Sequence, residues 1–116
     1  MKGWMVVAAN APLEEIEVPT PVPQGSEVLV EVTHCGVCHS DLHFWKGESN
    51  MGGGQVMKLA DRGVTLPRAP GHEVAGRVVA LGPEASGVGI GDLRVVYPWL
   101  GCGECAECTS ERDNMC

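Results

Sequence analysis

Cys102, Cys105, Cys108 and Cys116 follow the spacing C-x2-C-x2-C-x7-C, four thiols in the last 15 residues of a 116-residue chain. So few side chains separate them that no apolar core can form there, and a cross-link must take its place. Gly101 and Gly103 let short loops turn each sulfur inward. Four thiolates around one ion with no open position is the donor set of structural zinc. An iron–sulfur cluster is the first alternative, because C-x2-C-x2-C also opens a ferredoxin run. That run continues x3-C-P, whereas the gap here is seven and no proline follows. Disulfides are the second alternative, which the clustered spacing favours less.

A second concentration of ligand-type residues lies upstream, between CGVCHSDLH (Cys35 to His43) and GHE (Gly71 to Glu73). Thiol, imidazole and carboxylate groups at two distant points suggest one metal site closed by folding. Cys38 and His72 are the leading pair. Each also has an ordinary reading, as a buried thiol and as a polar-network histidine. A catalytic zinc keeps three protein ligands and an open position. Glu73 or Cys35 can supply the third. His72 and Glu73 point to opposite faces of a regular strand, so both can bind only where a strand begins or bends.

The rest of the chain reads as short strands and turns. It has 16 glycines and 8 prolines and only 4% aromatic residues, which argues against long helices. An apolar share of 44% at this length predicts a real core. Residues 1–9 and 13–18 read as strands, and alternating prolines at 19, 21 and 23 form an extended connector. EVLVEVTH, Glu27 to His34, alternates strictly, which predicts a strand with its valine face buried. Ser40 to Trp45 reads as a short helix capped by Ser40, with Asp41 favouring its positive end. Residues 47–63, with three successive glycines, read as the least ordered part, with one helical turn over Val56 to Ala60. Strands follow over His72 to Leu81 and Asp92 to Tyr97.

Net charge is −7, from 8 basic and 15 acidic residues, so phosphate backbones are repelled and no nucleic-acid partner is expected. The N-terminal apolar run, Trp4 to Ala9, is shorter than the roughly 7–15 residues of a signal core. A first strand in a reducing, cytoplasmic setting is the expectation, and no stretch is apolar enough to span a membrane.

The strand into CGVCHSDLH, the GHE before V-x-G-x-V-x-x-x-G, the G-D-x-R-V-V strand and the four-cysteine lobe together resemble the N-terminal part of zinc-dependent medium-chain alcohol dehydrogenases. The resemblance implies a mainly β, GroES-like, partly open barrel with short helices, comprising a β core over 1–97 and a zinc lobe over 98–116. It implies that Cys38 and His72 hold a catalytic zinc, with Glu73 nearby as an exchangeable ligand and Cys35 outside the set. It implies that Cys102, Cys105, Cys108 and Cys116 hold a structural zinc. Ser40 is then the hydroxyl that bonds the substrate alcohol, His43 the end of a proton path, and His39 a neighbour of the cofactor pyrophosphate. Trp45 and Trp99 resemble pocket walls.

The implied activity is oxidation of an alcohol to an aldehyde or ketone, and the reverse, with NAD or NADP, in a homo-oligomer. No G-x-G-x-x-G follows a strand, so the Rossmann cofactor domain and the third catalytic ligand are expected beyond Cys116. The chain alone is then expected to be inactive. Residues 48–65 are expected as an insertion, which either reshapes the substrate pocket or forms a loose surface segment. A zinc module with a structural or binding role is the alternative.

Overall fold

The computed structural model describes residues 1–116. Seven strands form three small antiparallel sheets, and the helices are short. The chain is mainly β, as its glycine, proline and valine content predicts. The sheets do not close on one another into a barrel.

Strands β1 (Lys2–Met5) and β2 (Glu14–Glu17) pair with Lys2 opposite Glu17 and Met5 opposite Glu14. Just past β1, Val6 exchanges backbone hydrogen bonds with Arg68 in both directions, at 2.9 and 3.1 Å. This bridge ties the N-terminus to the segment that leads into GHE.

The central sheet contains β3 (Val28–Gly36), β6 (Glu73–Leu81) and β7 (Leu93–Val95), with β6 in the middle. The pairing of β3 with β6 is antiparallel and runs from Val28 opposite Leu81 to Gly36 opposite Glu73. Two register shifts interrupt it, after Leu29 and after Val32. These bulges break the alternation read from the sequence. The expected buried valine face is overturned: Val28 is exposed and Val32 is 56% exposed. No other element of the chain packs over that face, so alternation there does not translate into burial.

The expected core is also reduced. Val6 and Val78 are the fully buried large side chains. Principal extents of 46 × 39 × 21 Å explain this, since a slab so thin has most of its residues at a surface.

Helix α1 spans His39–Lys46. Its cap is Cys38 rather than the expected Ser40. The Cys38 sulfur accepts the Ser40 N–H at 3.3 Å, and the Asp41 carboxylate accepts the Cys38 N–H at 2.9 Å. This is a capping box with a thiol where a hydroxyl usually stands.

The segment expected to be least ordered is a hairpin. Strands β4 (Glu48–Gly52) and β5 (Gln55–Lys58) pair with Glu48 opposite Lys58 and Asn50 opposite Val56. Gly52, Gly53 and Gly54 all take positive φ, which an L side chain resists, so glycine here makes the turn rather than loosening the chain. Asn50 Oδ1 accepts the Gly52 N–H at 2.9 Å and holds the reversal. The predicted helical turn over Val56 to Ala60 is therefore strand for most of its length, and a 3-10 turn comes later, at Ala60–Arg62.

Beyond β7 the chain holds only α2 (Ala106–Thr109) and a 3-10 turn at Asp113–Met115. No helix is long and apolar enough to cross a membrane.

Candidate metal centre

The upstream site is assembled by the register of β3 on β6. Gly36 ends β3 opposite Glu73, which starts β6. Cys38 follows two residues beyond one strand end, and His72 precedes the other. The pairing brings them together across 34 residues of sequence, with Cys38 Sγ 3.2 Å from His72 Nε2. Gly71, at φ +98°, turns the chain immediately before the strand. That bend resolves the objection that His72 and Glu73 should face apart. One ligand atom from each of Cys38, His72 and Glu73 lies within 4.8 Å of the other two. Cys35 is outside this group, its sulfur packed where a Cβ on Gly71 would stand, at 2.6 Å.

Asp41 is the residue the sequence reading undervalued. Besides favouring the positive end of α1, it holds the far side of the site. One carboxylate oxygen accepts the Gly71 N–H at 3.0 Å and lies 3.4 Å from His72 Nδ1. The other accepts the Cys38 N–H. Nδ1 faces this carboxylate and Nε2 faces the Cys38 sulfur, so the Nδ1–H tautomer is the one that would present an Nε2 lone pair to a metal. The Cys38 N–H, above all, holds the Asp41 carboxyl below its ordinary value; the Gly71 N–H and His72 act the same way and burial opposes them. The signal available in the sequence was the aspartate three residues after a capping position.

The other predicted residues surround this pair. Ser40 and His43 are one helical turn apart on α1 and both line a cavity of about 400 Å³ that reaches Gly71 and His72. His39 lies against His43, ring centroids 4.7 Å apart. Trp99 and Pro98 line a second cavity with Ser40 and His72, about 270 Å³ in volume. Trp45 is elsewhere: its indole Nε1–H donates to the Ala11 carbonyl at 2.6 Å and fastens α1 to the N-terminal segment. The β4–β5 hairpin and the turn after it supply Ser49 and Leu59 to the wall of the larger cavity.

The C-terminal lobe gathers its four sulfurs within 4.8 Å of one another. Cys105 and Cys108 sulfurs are 3.5 Å apart, and those of Cys102 and Cys108 3.9 Å. Tetrahedral zinc with sulfur at about 2.3 Å separates its ligands by about 3.8 Å, so the donor set fits such an ion. All six cysteines of the chain are free thiols. N–H groups of Glu104 and Cys105, the leading causes, lower Cys102 to about 6. Cys108 is pushed up to about 11: the Gly103 N–H pulls it down, but burial and the thiols of Cys105, Cys116 and Cys102 outweigh it. Sulfurs this close compete for one negative charge, which is the condition a bound cation relieves.

The fold and these groups define a mainly β domain with two metal-type donor sets, one closed by four thiols and one open beside a cavity. Residues 24–116 match the family described as the alcohol dehydrogenase GroES-like domain, and this chain belongs to that family. It is 39% identical over 116 residues to an NAD-dependent alcohol dehydrogenase of Sulfurisphaera tokodaii, covering all of this chain and 32% of that protein. It is 36% identical over 117 residues to the aldehyde reductase YahK of Escherichia coli, covering all of this chain and 30% of that one. A crystal structure of an NAD-dependent alcohol dehydrogenase superposes with TM-score 0.83 at 31% identity, over all of this chain and 31% of its own. A cobalt- and zinc-bound thermostable alcohol dehydrogenase from Pyrobaculum aerophilum superposes with TM-score 0.80 at 32% identity, over all of this chain and 32% of its own. The chain thus spans about a third of the length of these relatives.

Proposed function

We propose that this chain is the catalytic-domain portion of a zinc-dependent alcohol dehydrogenase, interconverting an alcohol with an aldehyde or ketone through hydride exchange with NAD or NADP. The observation that carries the reading is the 3.2 Å approach of Cys38 Sγ to His72 Nε2, with Glu73 in reach and Ser40 beside them. Cys38, His72 and Glu73 would hold a catalytic zinc, and Cys102, Cys105, Cys108 and Cys116 a structural one. Bound at the first set, zinc supplies Lewis acidity that favours the alkoxide form of the substrate.

The remaining work falls to the chain's own groups. Asp41 would orient the imidazole of His72 through Nδ1, so that Nε2 keeps its lone pair for the metal. The Ser40 hydroxyl would accept the substrate's hydroxyl proton, and His43, one helical turn further along α1, would stand at the outer end of the proton path. His39 lies on the same face of α1 and would approach the cofactor pyrophosphate. Trp99 would form one wall of the smaller cavity, beside Ser40 and His72.

In the same reading, residues 1–97 form the β core and 98–116 the structural-zinc lobe. A nicotinamide-binding domain is supplied by a longer chain, which works as a homo-oligomer in the cytoplasm. Its substrate is a small alcohol, aldehyde or ketone, with neither nucleic acid nor membrane as partner.

The test is Cys38→Ala in the longer protein. Turnover should be lost while the far-ultraviolet spectrum and the structural zinc are retained; unchanged turnover removes Cys38 from the site. The 116-residue chain by itself should give no alcohol-dependent reduction of NAD, and measurable reduction would contradict the division of labour between domains.

A further inference from the structure

The chain has five arginines. Four of them donate to a protein acceptor: Arg62 to the Met57 sulfur, Arg77 to the Gly91 carbonyl, Arg94 to Asp92 and Arg112 to Glu107. The guanidinium of Arg68 has no such partner, and Arg68 is exposed. It lines the cavity of about 400 Å³ that ends at His72. Its backbone is not free to drift, because both its N–H and its carbonyl are bonded to Val6, which is wholly buried. Pro67 and Pro70 stiffen the segment on either side.

The same cavity collects other polar groups that no protein side chain or backbone group satisfies. The hydroxyls of Ser40 and Ser49 and the His43 ring make no protein hydrogen bond, and the His43 ring lies against the His39 ring. One carboxylate lines the cavity, that of Asp41, and it cannot serve as Arg68's counter-ion. Its side chain is 13% exposed, and its two oxygens are taken by Cys38 N–H, Gly71 N–H and His72. Phe44, Leu59 and Pro70 provide apolar wall. An anchored arginine, two hydroxyls and an imidazole without protein partners, beside apolar surface, are the elements of a site for a small organic anion.

We propose that Arg68 anchors the anionic group, carboxylate or phosphate, of a small ligand seated in this cavity beside His72. The guanidinium presents two parallel N–H donors to the anion, and Ser49 or Ser40 donates a third bond. The selectivity is for ligands that carry a negative charge at one end and an uncharged body that rests on Phe44 and Leu59.

The test uses the zinc-loaded 116-residue protein with nitrogen-15 label, watching the Arg68 Nε–H resonance by NMR. Succinate and orthophosphate are titrated separately against sodium chloride of matched ionic strength. A saturable shift with succinate assigns the site to carboxylate ligands, and one with orthophosphate assigns it to phosphate ligands; either supports the proposal. Arg68→Gln, whose backbone bonds to Val6 persist, should weaken binding about tenfold or more, followed on the Ser49 amide. Arg62→Gln should bind as the parent does. Absence of saturation with both anions, or full binding by Arg68→Gln, overturns it. Because binding is read without turnover, this result stands apart from the dehydrogenase reading.

Discussion

Replacing Asp41 by Asn tests whether one carboxylate holds both halves of the upstream site. In the parent each oxygen receives a backbone N–H, from Cys38 at 2.9 Å and from Gly71 at 3.0 Å. An asparagine has one acceptor oxygen, so its NH2 must face one of those N–H groups, donor against donor. That costs a charge-assisted hydrogen bond and strands a backbone donor, a loss of about 2–3 kcal/mol. With urea slopes typical of small domains, the midpoint should fall by about 1–2 M. The assay is urea unfolding of the zinc-loaded chain by tryptophan fluorescence, with zinc affinity measured by chelator competition. Affinity at the Cys38–His72 site should fall about 10–100-fold, as when the hydrogen-bond partner of a ligating histidine is removed. The folded carboxyl is below its ordinary value, chiefly through the Cys38 N–H, so its contribution is complete above the unfolded value near 4 and is lost as pH falls through the folded one. The gap between parent and Asp41→Asn should therefore hold from neutrality down to about pH 5 and narrow below it. An unchanged midpoint together with unchanged zinc affinity would refute the role given to Asp41.

Other consequences follow from single contacts. In Gly36→Ala, the new Cβ would run into the Glu73 carboxylate and stand 3.0 Å from the Glu73 Cβ, so zinc affinity upstream should drop about tenfold with the lobe still loaded; equal affinity in competition titrations would remove Glu73 from the ligand set. Cys116→Ser leaves three thiolates in the lobe. The protein should lose its structural ion by elemental analysis and become cleavable within 98–116, whereas a fully loaded, protease-resistant lobe would exclude a four-thiol site. Trp45→Phe deletes the indole bond to the Ala11 carbonyl and should lower stability by about 1 kcal/mol in chemical denaturation; no change would mean that this bond adds nothing beyond packing.

The two sites were legible to different degrees. The lobe's four thiols all fall within 15 residues, so short loops alone can bring the sulfurs together, and the spacing carries the message. Cys38 and His72 are 34 residues apart, and their chemistry suggests a site without placing it. The β4–β5 hairpin was misread because its glycines signal flexibility locally, while the cross-strand pairs that stiffen them belong to no single stretch. The valine face of β3 was misread for the converse reason. Alternation predicts which side chains share a face, but burial needs a second layer, and none of the chain's other elements supplies one there.

By itself the sequence determined donor chemistry: four clustered thiols, a Cys and His able to bind the same ion, a short helix after Cys38, and an acidic surface. The tertiary structure decided which donors meet. The hydrogen-bond register that sets Gly36 opposite Glu73 puts Cys38 against His72 and leaves Cys35 out. It also makes Asp41, which the sequence offers only as a helix-dipole partner, the strut behind the imidazole, and leaves Arg68 facing a cavity without a counter-ion. Side-chain chemistry is a local property of each residue, whereas the distance between two remote residues depends on how strands pair, which many weak contacts settle together.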